Sequence, residues 1–453
     1  MFYRPHRRQF VIAPKQVELP NWRSSSFGAG LVLSHDRELE VQSVGGTTTL
    51  GTALLGGEFG RYVRVHDGRL ELDASGLLAV YYGEGDDGPF ATSSPALAHQ
   101  FRGGDRASRV LRWAPGSMNW HPTPGSATGG VRRLCRDQAL VLASGQVERS
   151  ERSFEPPDDV AVAVDLLAHH IGEAAAALPD RSIMLALTAG LDSRLLLAGL
   201  LASGRRFGVV TQMITGGLSA EVDVRVAGRL ATRYGLDHTV ARAGRHDPTL
   251  ESAMRLHTFA AYADADHVVL PRGQYDFFDS ETLLVRGGCF ELGRRHYHEF
   301  LGELSGGADD VARIAAAFGL ESPDDDPAIG ALAEWHAWRC EFPGRLDLRD
   351  AFYLDQRIGG WLSSVEQNLD ALPGLSIHPA NSETAFRALL GSTDPEALRS
   401  GLIQRRAAER LVPGILEIPI NPRAAQPLWH RSIRAARSRI RRLVARTPGS
   451  RLG

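Results

Sequence analysis

The sequence predicts an α/β fold in which an N-terminal antiparallel β-rich domain precedes a doubly wound parallel-sheet domain with a helical C-terminal part. Two patterns support this expectation. Short segments with period-two alternation fill the first third of the chain, and strands alternate with helices from about residue 160 onward. A chain of 453 residues is also too long for one ordinary hydrophobic core, which favours at least two domains.

Residues 1–152 are expected to form the β-rich domain. Turn pairs such as Asp67-Gly68 and Asp87-Gly88 separate its alternating runs, as in β-hairpins. The predicted strands cover residues 30–33, 62–65, 70–73 and 78–82, and a last hairpin is predicted over residues 131–147.

A polar, proline-bearing joint at residues 153–159 leads into the second domain, residues 160–430. Helical spacing over residues 160–178 is followed by alternating strands and helices, which implies parallel pairing and right-handed crossovers. The predicted strands cover residues 182–187, 207–213 and 283–285, the predicted helices cover 193–201 and 220–234, and residues 296–411 are predicted to be mostly helical.

The last residues, 431–453, hold eight arginines and no acidic residue. Apolar residues recur there near helical spacing, which predicts an amphipathic capping helix with a solvated face. Binding of a polyanion or an acidic peptide by this basic tail is the alternative.

The composition is that of a globular protein, with 43% hydrophobic residues, 23% charged residues and a formal net charge of -2. This balance indicates no particular partner, and we expect neither nucleic acid nor membrane binding; a homodimer is compatible with it. Cys135, Cys289 and Cys340 lack the spacing of a disulfide framework or a zinc site, which favours a reducing, cytoplasmic location. The early apolar piece at residues 10–13 is too short for a signal-peptide core.

The most informative segment is a small-residue turn that follows the apolar run at residues 183–187. A strand that ends in such a turn and enters a helix places backbone N–H groups and hydroxyls at a helix N-terminus, where anions bind. Thr188 and Ser193 can donate hydrogen bonds to phosphate oxygens, Gly190 permits close backbone approach, and Asp192 can hold magnesium. The candidate nucleotide-binding residues are Leu187, Thr188, Ala189, Gly190, Leu191, Asp192 and Ser193. The alternative is an ordinary strand-to-helix turn with Asp192 as a helix cap.

The turn at residues 188–193 resembles the Ser-Gly-Gly-x-Asp-Ser loop of ATP pyrophosphatases, and its surroundings resemble the synthetase domain of the asparagine synthase family. Residues 60–94 are similar to the later half of that family's glutaminase-type domain, and residues 219–238 to its next helix and strand. Residues 284–292 fall where the family places its Ser-Gly-Glu-Gly-x-Asp-Glu segment. The resemblance implies ATP and Mg²⁺ as cofactors, Gly287 at the nucleotide, Asp192 and Glu291 as metal ligands, and a catalytic role for Glu291.

The chain departs from the family pattern at several positions. Phe2 stands where the family has its nucleophilic cysteine, so glutamine hydrolysis is not expected, as in β-lactam synthetases and lasso-peptide cyclases. Gly288 replaces a family glutamate, and Phe290 lies near the usual aspartate. The segment 411–419 lacks the family's lysine, and Arg423 is the candidate catalytic cation in its place.

The resemblance implies an ATP-dependent, AMP-forming amide ligase that adenylates a small-molecule or peptide carboxylate and passes it to an amine nucleophile, giving an amide or lactam. Gly288, Phe290 and the missing lysine favour an alternative, a catalytically decayed nucleotide-binding regulatory or partner protein. A sulfur-transfer or nucleotide-modifying ATP pyrophosphatase is a third candidate, but the chain lacks reactive cysteine pairs.

Two smaller signals have structural explanations beside the functional ones. His296 and His298 form a His-x-His pair, for which ordinary hydrogen bonds are the expectation and metal binding is the alternative. Asp355 and Arg357 are two residues apart in a predicted helix, so each is expected to pair with other elements.

Overall fold

The computed structural model describes residues 8–13, 23–27, 30–34, 41–102, 118, 120–150, 152, 154–213, 218–242, 248, 277–320, 326–341, 346–392 and 394–422. Within these ranges no helix combines the length and the apolar character that crossing a membrane requires. The basic tail at residues 431–453, Phe2 and the candidate catalytic residue Arg423 lie outside the described residues.

Antiparallel strands, one α-helix, α1 (Pro95–Arg102), and a short 3₁₀ helix (Leu55–Gly57) form the described part of the first domain. The strands are β1 (Phe10–Ala13), β2 (Arg23–Phe27), β3 (Gly30–Ser34), β4 (Val41–Val44), β5 (Thr47–Leu54), β6 (Phe59–His66), β7 (Arg69–Leu72), β8 (Tyr81–Gly85), β9 (Gly88–Thr92), β10 (Val131–Arg133), β11 (Gln138–Val141) and β12 (Gln146–Arg149). They form one sheet in the order β10-β8-β9-β1-β3-β2 and a second in the order β12-β11-β7-β6-β5-β4.

The two sheets pack against each other through alternating apolar residues. Val63 and Val65 in β6 are buried, and Arg64 between them projects from the opposite face, as the pleat of a strand requires. Phe10 and Ile12 of β1, in the other sheet, belong to the same buried cluster. The period-two pattern of the sequence therefore reports the inward faces of two layered sheets.

Two predictions in this domain are wrong in detail. A strand was expected over residues 78–82, but β8 begins at Tyr81, because the Asp73 carboxylate accepts the N–H groups of Leu77 and Leu78 at 2.9 Å each. The hairpin expected over residues 131–147 is split between the sheets: β10 pairs with β8, and β11 pairs with β12. The Gln138 side chain accepts the N–H of Cys135 at 2.8 Å and turns the chain from one sheet to the other.

A parallel five-stranded sheet organises the second domain. Its strands are β13 (Ser182–Ala186), β14 (Gly208–Met213), β15 (His238–Arg242), β16 (Thr282–Val285) and β17 (Leu375–Ile377), in the order β15-β14-β13-β16-β17. All four pairings are parallel. The chain adds strands on one side of β13 and then returns to add β16 on the other side. This is the doubly wound arrangement, and the predicted fold class is confirmed.

Helices cover the sheet and build the C-terminal part. They are α2 (Val160–Ala176), α3 (Leu191–Ala202), α4 (Leu218–Tyr234), a 3₁₀ helix (Phe290–Arg294), α5 (His296–Leu301), α6 (Asp309–Phe318), α7 (Asp326–Glu341), α8 (Leu348–Phe352), a π-helix (Tyr353–Leu362), α9 (Ser363–Leu369), α10 (Glu383–Leu389), α11 (Pro395–Arg399) and α12 (Leu402–Leu411). Ile183 and Leu185 of β13 belong to the large core cluster that includes α2, α3 and α4. Met184 and Ala186, on the other sheet face, pack into a smaller cluster with Leu369 of α9.

The two domains meet through buried polar groups as well as apolar ones. Gln356 of the π-helix donates to the carbonyl of Thr123 at 2.8 Å and accepts the Thr123 N–H at 2.9 Å. Asp355 accepts from Arg339 Nε at 2.8 Å, and Arg339 also pairs with Asp137 of the first domain at 2.6 Å. Asp355 thus pairs with another element, as the sequence predicts. Each of these buried side chains has at least one partner on another element of the fold.

We predict that Asp73→Ala lowers the free energy of unfolding by about 3 kcal/mol, because Asp73 is fully buried and its loss leaves several backbone N–H groups without an acceptor. Asp73 also accepts from the Asn381 side chain at 3.0 Å, so the change loosens the domain contact. Urea unfolding followed by circular dichroism measures the effect. The exposed Asp180 is the control, and Asp180→Ala should stay within roughly 0.5 kcal/mol of the parent.

Candidate nucleotide site

A cavity of about 350 Å³ opens at the carboxyl ends of the central strands, beside β13, β14 and β16. The strand order reverses between β13 and β16, and ligands of doubly wound sheets bind at such a switch point. Apolar and polar groups share the walls. The lining includes Ala186, Leu187, Thr188, Gly190, Asp192, Ser193, Val210, Gln212, Arg286, Gly287, Gly288, Cys289, Glu291, Tyr353, Arg357, Ile358, Trp361, Leu362 and His378.

The predicted nucleotide loop forms the bend from β13 into α3. Gly190 is the N-cap of α3, and it offers no side-chain acceptor to the first-turn N–H groups, which lack partners within the helix. Thr188 is exposed, so packed side chains do not block the bend. Asp192 lies in the first turn and does not cap the helix. The bend therefore presents a helix N-terminus to the cavity.

Hydrogen bonds inside the bend hold its shape. The Thr188 N–H donates to Ser193 Oγ at 3.2 Å, the Gly190 N–H donates to Thr188 Oγ1 at 3.1 Å, and the two hydroxyl oxygens lie 3.1 Å apart. The Ala189 N–H donates to Asp223 of α4 at 2.8 Å. Phosphate oxygens that bind here would compete for the hydroxyl hydrogens that now stay within the bend.

The loop after β16 approaches this bend closely. A Cβ atom at Gly287 would lie 3.3 Å from the Asp192 Cβ and 3.4 Å from the Ser193 nitrogen, so a larger residue would push the two loops apart. A Cβ at Gly288 would lie 2.5 Å from His378 Nδ1 and 2.8 Å from Leu362 Cδ2. The space beside position 288 is therefore filled by His378, and a glutamate does not fit there in this arrangement.

Asp192 forms a two-pronged ion pair with Arg294. Arg294 Nη2 donates to Oδ2 at 2.9 Å, and Nη1 donates to Oδ1. Burial raises the pKa of the Asp192 carboxyl, and the charge of Glu291 adds to that effect, while Arg294 opposes it. Burial would lower the pKa of Arg294, but the pairing with Asp192 outweighs it and raises the pKa. A further cation near Asp192 and Glu291 would stabilise both carboxylates.

Glu291 lines the cavity, and neither Arg294 nor Arg295 takes it as an ion-pair partner among the described residues. The Tyr353 hydroxyl lies 3.5 Å from Glu291 Oε2, and Arg295 faces Asp350 at 3.6 Å. The explanation of Glu291 as one half of a surface ion pair is therefore not supported.

The structure brings most of the predicted site residues together. Leu187, Thr188, Gly190, Asp192, Ser193, Gly287 and Glu291 all line the cavity. Ala189 and Leu191 are buried and do not line the cavity, so they contribute to the bend through their backbone. Arg423, as stated, lies outside the described residues.

Arg357 is a site residue that sequence reasoning missed. It extends from the π-helix into the cavity lining, and its guanidinium carbon lies 3.6 Å from the centre of the Trp361 ring. No described carboxylate forms an ion pair with it, in contrast to Arg286 and Arg294. A stacked cation without an acidic partner is suited to an incoming anion. The i, i+4 spacing of Arg357 and Trp361 was the available signal.

His378 and Glu366 are also missing from the sequence prediction. His378 Nδ1 accepts the Gly288 N–H at 3.2 Å, and its Nε2 donates to Glu366 Oε1 at 3.0 Å, so the ring is neutral with its proton on Nε2. Burial lowers the pKa of His378, and the cations Arg286 and Arg61 lower it further, against the effect of Glu366. No local motif identifies this pair, because the two residues lie on different elements and come into contact only in the folded chain.

The His-x-His pair does not form a shared site. His296 is exposed, whereas His298 Nε2 contacts Asp350 at 2.9 Å, and Asp347 lies at 3.8 Å. Arg349 already pairs with Asp347 and Arg295 faces Asp350. Nearby arginines thus balance the carboxylates, and the ordinary hydrogen-bonding explanation of His298 accounts for the contacts.

Comparisons with known proteins leave the family open. No family model matches the sequence, and no curated protein matches it. Among solved structures, the chain is similar to the U34-tRNA thiolase NcsA from Methanococcus maripaludis with its [4Fe-4S] cluster, with a TM-score of 0.23 and 9% identity over 44% of this chain and 79% of that chain. A likeness at this level supports no assignment of function.

We predict that Gly288→Ala lowers the free energy of unfolding by about 1 to 3 kcal/mol, because the added methyl group must displace the buried His378 ring or Leu362. Gly330 is the matched control. It lies in α7 with nothing near its missing Cβ, so Gly330→Ala should raise stability by up to about 1 kcal/mol. Urea unfolding of both variants measures the difference, and equal effects would contradict the packing argument.

Proposed function

We propose that the protein is an ATP-dependent, AMP-forming amide ligase of the asparagine synthase type. One observation carries the proposal. The bend at residues 188–193 directs an uncapped helix N-terminus toward a cavity, and this cavity lies at the switch point of a doubly wound sheet. The triphosphate of ATP is the ligand that this bend suits. Apolar side chains such as Val210 and Ile358 give the same cavity a wall for the base.

The charges around the cavity suit a metal–polyphosphate complex. Asp192 and Glu291 are the carboxylates that would hold Mg²⁺, and their mutual repulsion is what a divalent cation relieves. When bound, the ion would neutralise phosphate charge as pyrophosphate leaves. Each Asp192 oxygen that accepts from Arg294 retains a second lone pair. Arg357 of the π-helix adds a positive charge to the cavity wall.

The proposed reaction has two displacement steps. A carboxylate oxygen of the substrate attacks the α-phosphorus of ATP, and the bond to pyrophosphate breaks. An amine then attacks the acyl carbon, the bond to the AMP oxygen breaks, and the amine loses a proton. The helix N-terminus and Arg357 stabilise the charge that develops on the leaving pyrophosphate, which is the main electrostatic requirement of the first step.

The amine must come from the substrate or from solution. Cys135 is the first cysteine of the chain, it is buried, and burial raises its pKa well above the usual value, so it remains a neutral thiol. Cys289 lines the cavity but is equally buried, and burial raises its pKa as well. Neither thiol is suited to hydrolyse glutamine.

A second candidate function is nucleotide binding without turnover. The ion pair between Asp192 and Arg294 favours it, because an arginine already neutralises the carboxylate that the reaction assigns to Mg²⁺. Gly288, which leaves no room for an acidic side chain, points in the same direction.

We predict that the purified protein with Mg²⁺ and ATP exchanges radiolabelled pyrophosphate into ATP when a panel of amino acids and short peptides supplies the carboxylate. Asp192→Ala should lower the exchange rate by about a hundredfold, as the loss of an electrostatic stabiliser does in other active sites. Asp165 is the control, since it pairs with Arg410 at 2.7 Å on the surface, and Asp165→Ala should not change the rate.

The outcomes separate the two functions. ATP binding without exchange for any carboxylate supports the binding protein. No heat from Mg²⁺ and ATP in calorimetry rules out both proposals.

We predict that Arg357→Met weakens the binding of ATP with Mg²⁺ by about tenfold, because one charge-assisted contact to the phosphates is lost. The binding of AMP should change little, since AMP lacks the pyrophosphate end. Calorimetry with both nucleotides measures the difference. Arg399→Met is the control, because Arg399 lies on the surface and pairs with Glu396 at 3.0 Å. Equal losses for ATP and AMP would place Arg357 elsewhere in the site.

A further inference from the structure

A line of buried charges connects the first domain to the wall of the cavity. Arg61 of β6 pairs with Asp370, directly after α9, and lies close to Glu366 within α9. Glu366 in turn pairs with His378. Each of these side chains is at least nine-tenths buried. Charges so far from water persist only when each has a partner.

Arg61 belongs to the first domain, but its charge lies among residues of the second. Its Nη1 and Nη2 donate to the two Asp370 oxygens at 2.9 and 3.0 Å, and Nη1 lies 3.9 Å from Glu366 Oε2. Burial would lower the pKa of Arg61, but Asp370 and Glu366 outweigh that effect and raise it. The arginine therefore stays charged inside the interface.

Glu366 lies between Arg61 and His378, which lines the cavity. Its Oε1 accepts from His378 Nε2 at 3.0 Å and from Arg286 Nη1, while its Oε2 faces Arg61 without a hydrogen bond. Burial would raise the pKa of Glu366, but Arg286, His378 and Arg61 together hold it well below its usual range. A permanently ionised Glu366 fixes the orientation of the His378 ring.

His378 in turn holds the loop that lines the site. Its Nδ1 accepts the Gly288 N–H at 3.2 Å, and Gly287 beside it is the residue that approaches Asp192. A shift of the His378 ring would release Gly288 and with it the close contact between the two loops.

We propose that Arg61 is a positioning residue by which the first domain sets the geometry of the nucleotide site, acting through Glu366 and His378 on the loop at Gly287 and Gly288. This inference rests on the proposed function, since it assumes that the cavity binds ATP. It assigns to the first domain a role in shaping the site of the second.

Another ion pair between the domains provides a control. Arg136 is about as buried as Arg61, and it pairs at 2.7 and 2.9 Å with the half-buried Glu383, which Arg152 also contacts at 3.0 Å. Glu383 lies at the start of α10, and neither residue lines the cavity. Arg136→Met and Arg61→Met therefore each remove one buried arginine from the interface, and of the two only Arg61 pairs with a residue that contacts the cavity wall.

The experiment is calorimetry with ATP and Mg²⁺ on full-length Arg61→Met, Arg61→Lys and Arg136→Met, with thermal unfolding of each. Arg61→Met should weaken ATP binding by about tenfold, and Arg61→Lys should recover part of that loss, because one ammonium cannot replace the two-pronged contact. Arg136→Met should lower thermal stability and leave the affinity unchanged. If Arg61→Met does not fold, Arg61→Lys decides, with an expected loss of about threefold.

The pH dependence of ATP binding gives a second readout that a merely structural role would not move. The charged groups that face His378 are Glu366 from α9, Arg286 after β16 and Arg61 from β6. Removing Arg61 removes a cation that lowers the pKa of His378, so this pKa rises. Protonation of Nδ1 then abolishes the hydrogen bond from Gly288 at a higher pH. The pH below which affinity falls should therefore move upward in Arg61→Met and stay in place in Arg136→Met.

The results distinguish the two levels of the argument. If the parent protein gives no heat with ATP, the proposed function and this inference both fail. If the parent binds but the folded Arg61 variants bind equally well, or if Arg136→Met weakens binding as much, the inference alone is wrong.

Discussion

The site depends on one constraint of backbone chemistry: the chain leaves the central strand and enters α3 at a point where the first-turn N–H groups have no acceptors within the helix. Gly190 supplies no side chain to satisfy them, and the Thr188 and Ser193 hydroxyls hydrogen bond within the bend. An anion is the natural complement of such an end. The surrounding residues are arranged around this bend, with Gly287 small enough to let the second loop approach.

Charge balance around the bend is the second determinant. The Asp192 carboxylate is held by Arg294, and Glu366 is held by Arg286 and His378. Arg357 stacks on Trp361 and has no acidic partner among the described residues, so of these three arginines it is the one available to a ligand. The pattern suits a site that binds a polyanion through a helix end and the Arg357 guanidinium rather than through a cluster of lysines.

Much of the architecture follows from sequence pattern, and the failures have local causes. The helices and strands around the bend occur where periodicity predicts them, since apolar spacing directly reports which face of an element is buried. The strand predicted over residues 78–82 does not include residues 78–80, because the Asp73 carboxylate accepts the N–H groups of Leu77 and Leu78. The division of the 131–147 hairpin depends on a turn fixed by the Gln138 side chain.

The sequence by itself determined the layered α/β architecture, the position of the bend and the residue types on it, because these depend on contacts within a few residues of each other. Only the tertiary structure decided that Arg294 faces Asp192, that His378 fills the space beside Gly288, and that Arg61 of the first domain reaches Glu366. These contacts join residues that lie at least 90 positions apart in the chain. Their partners are chosen by where the folded elements bring charges together out of water, which no local pattern encodes.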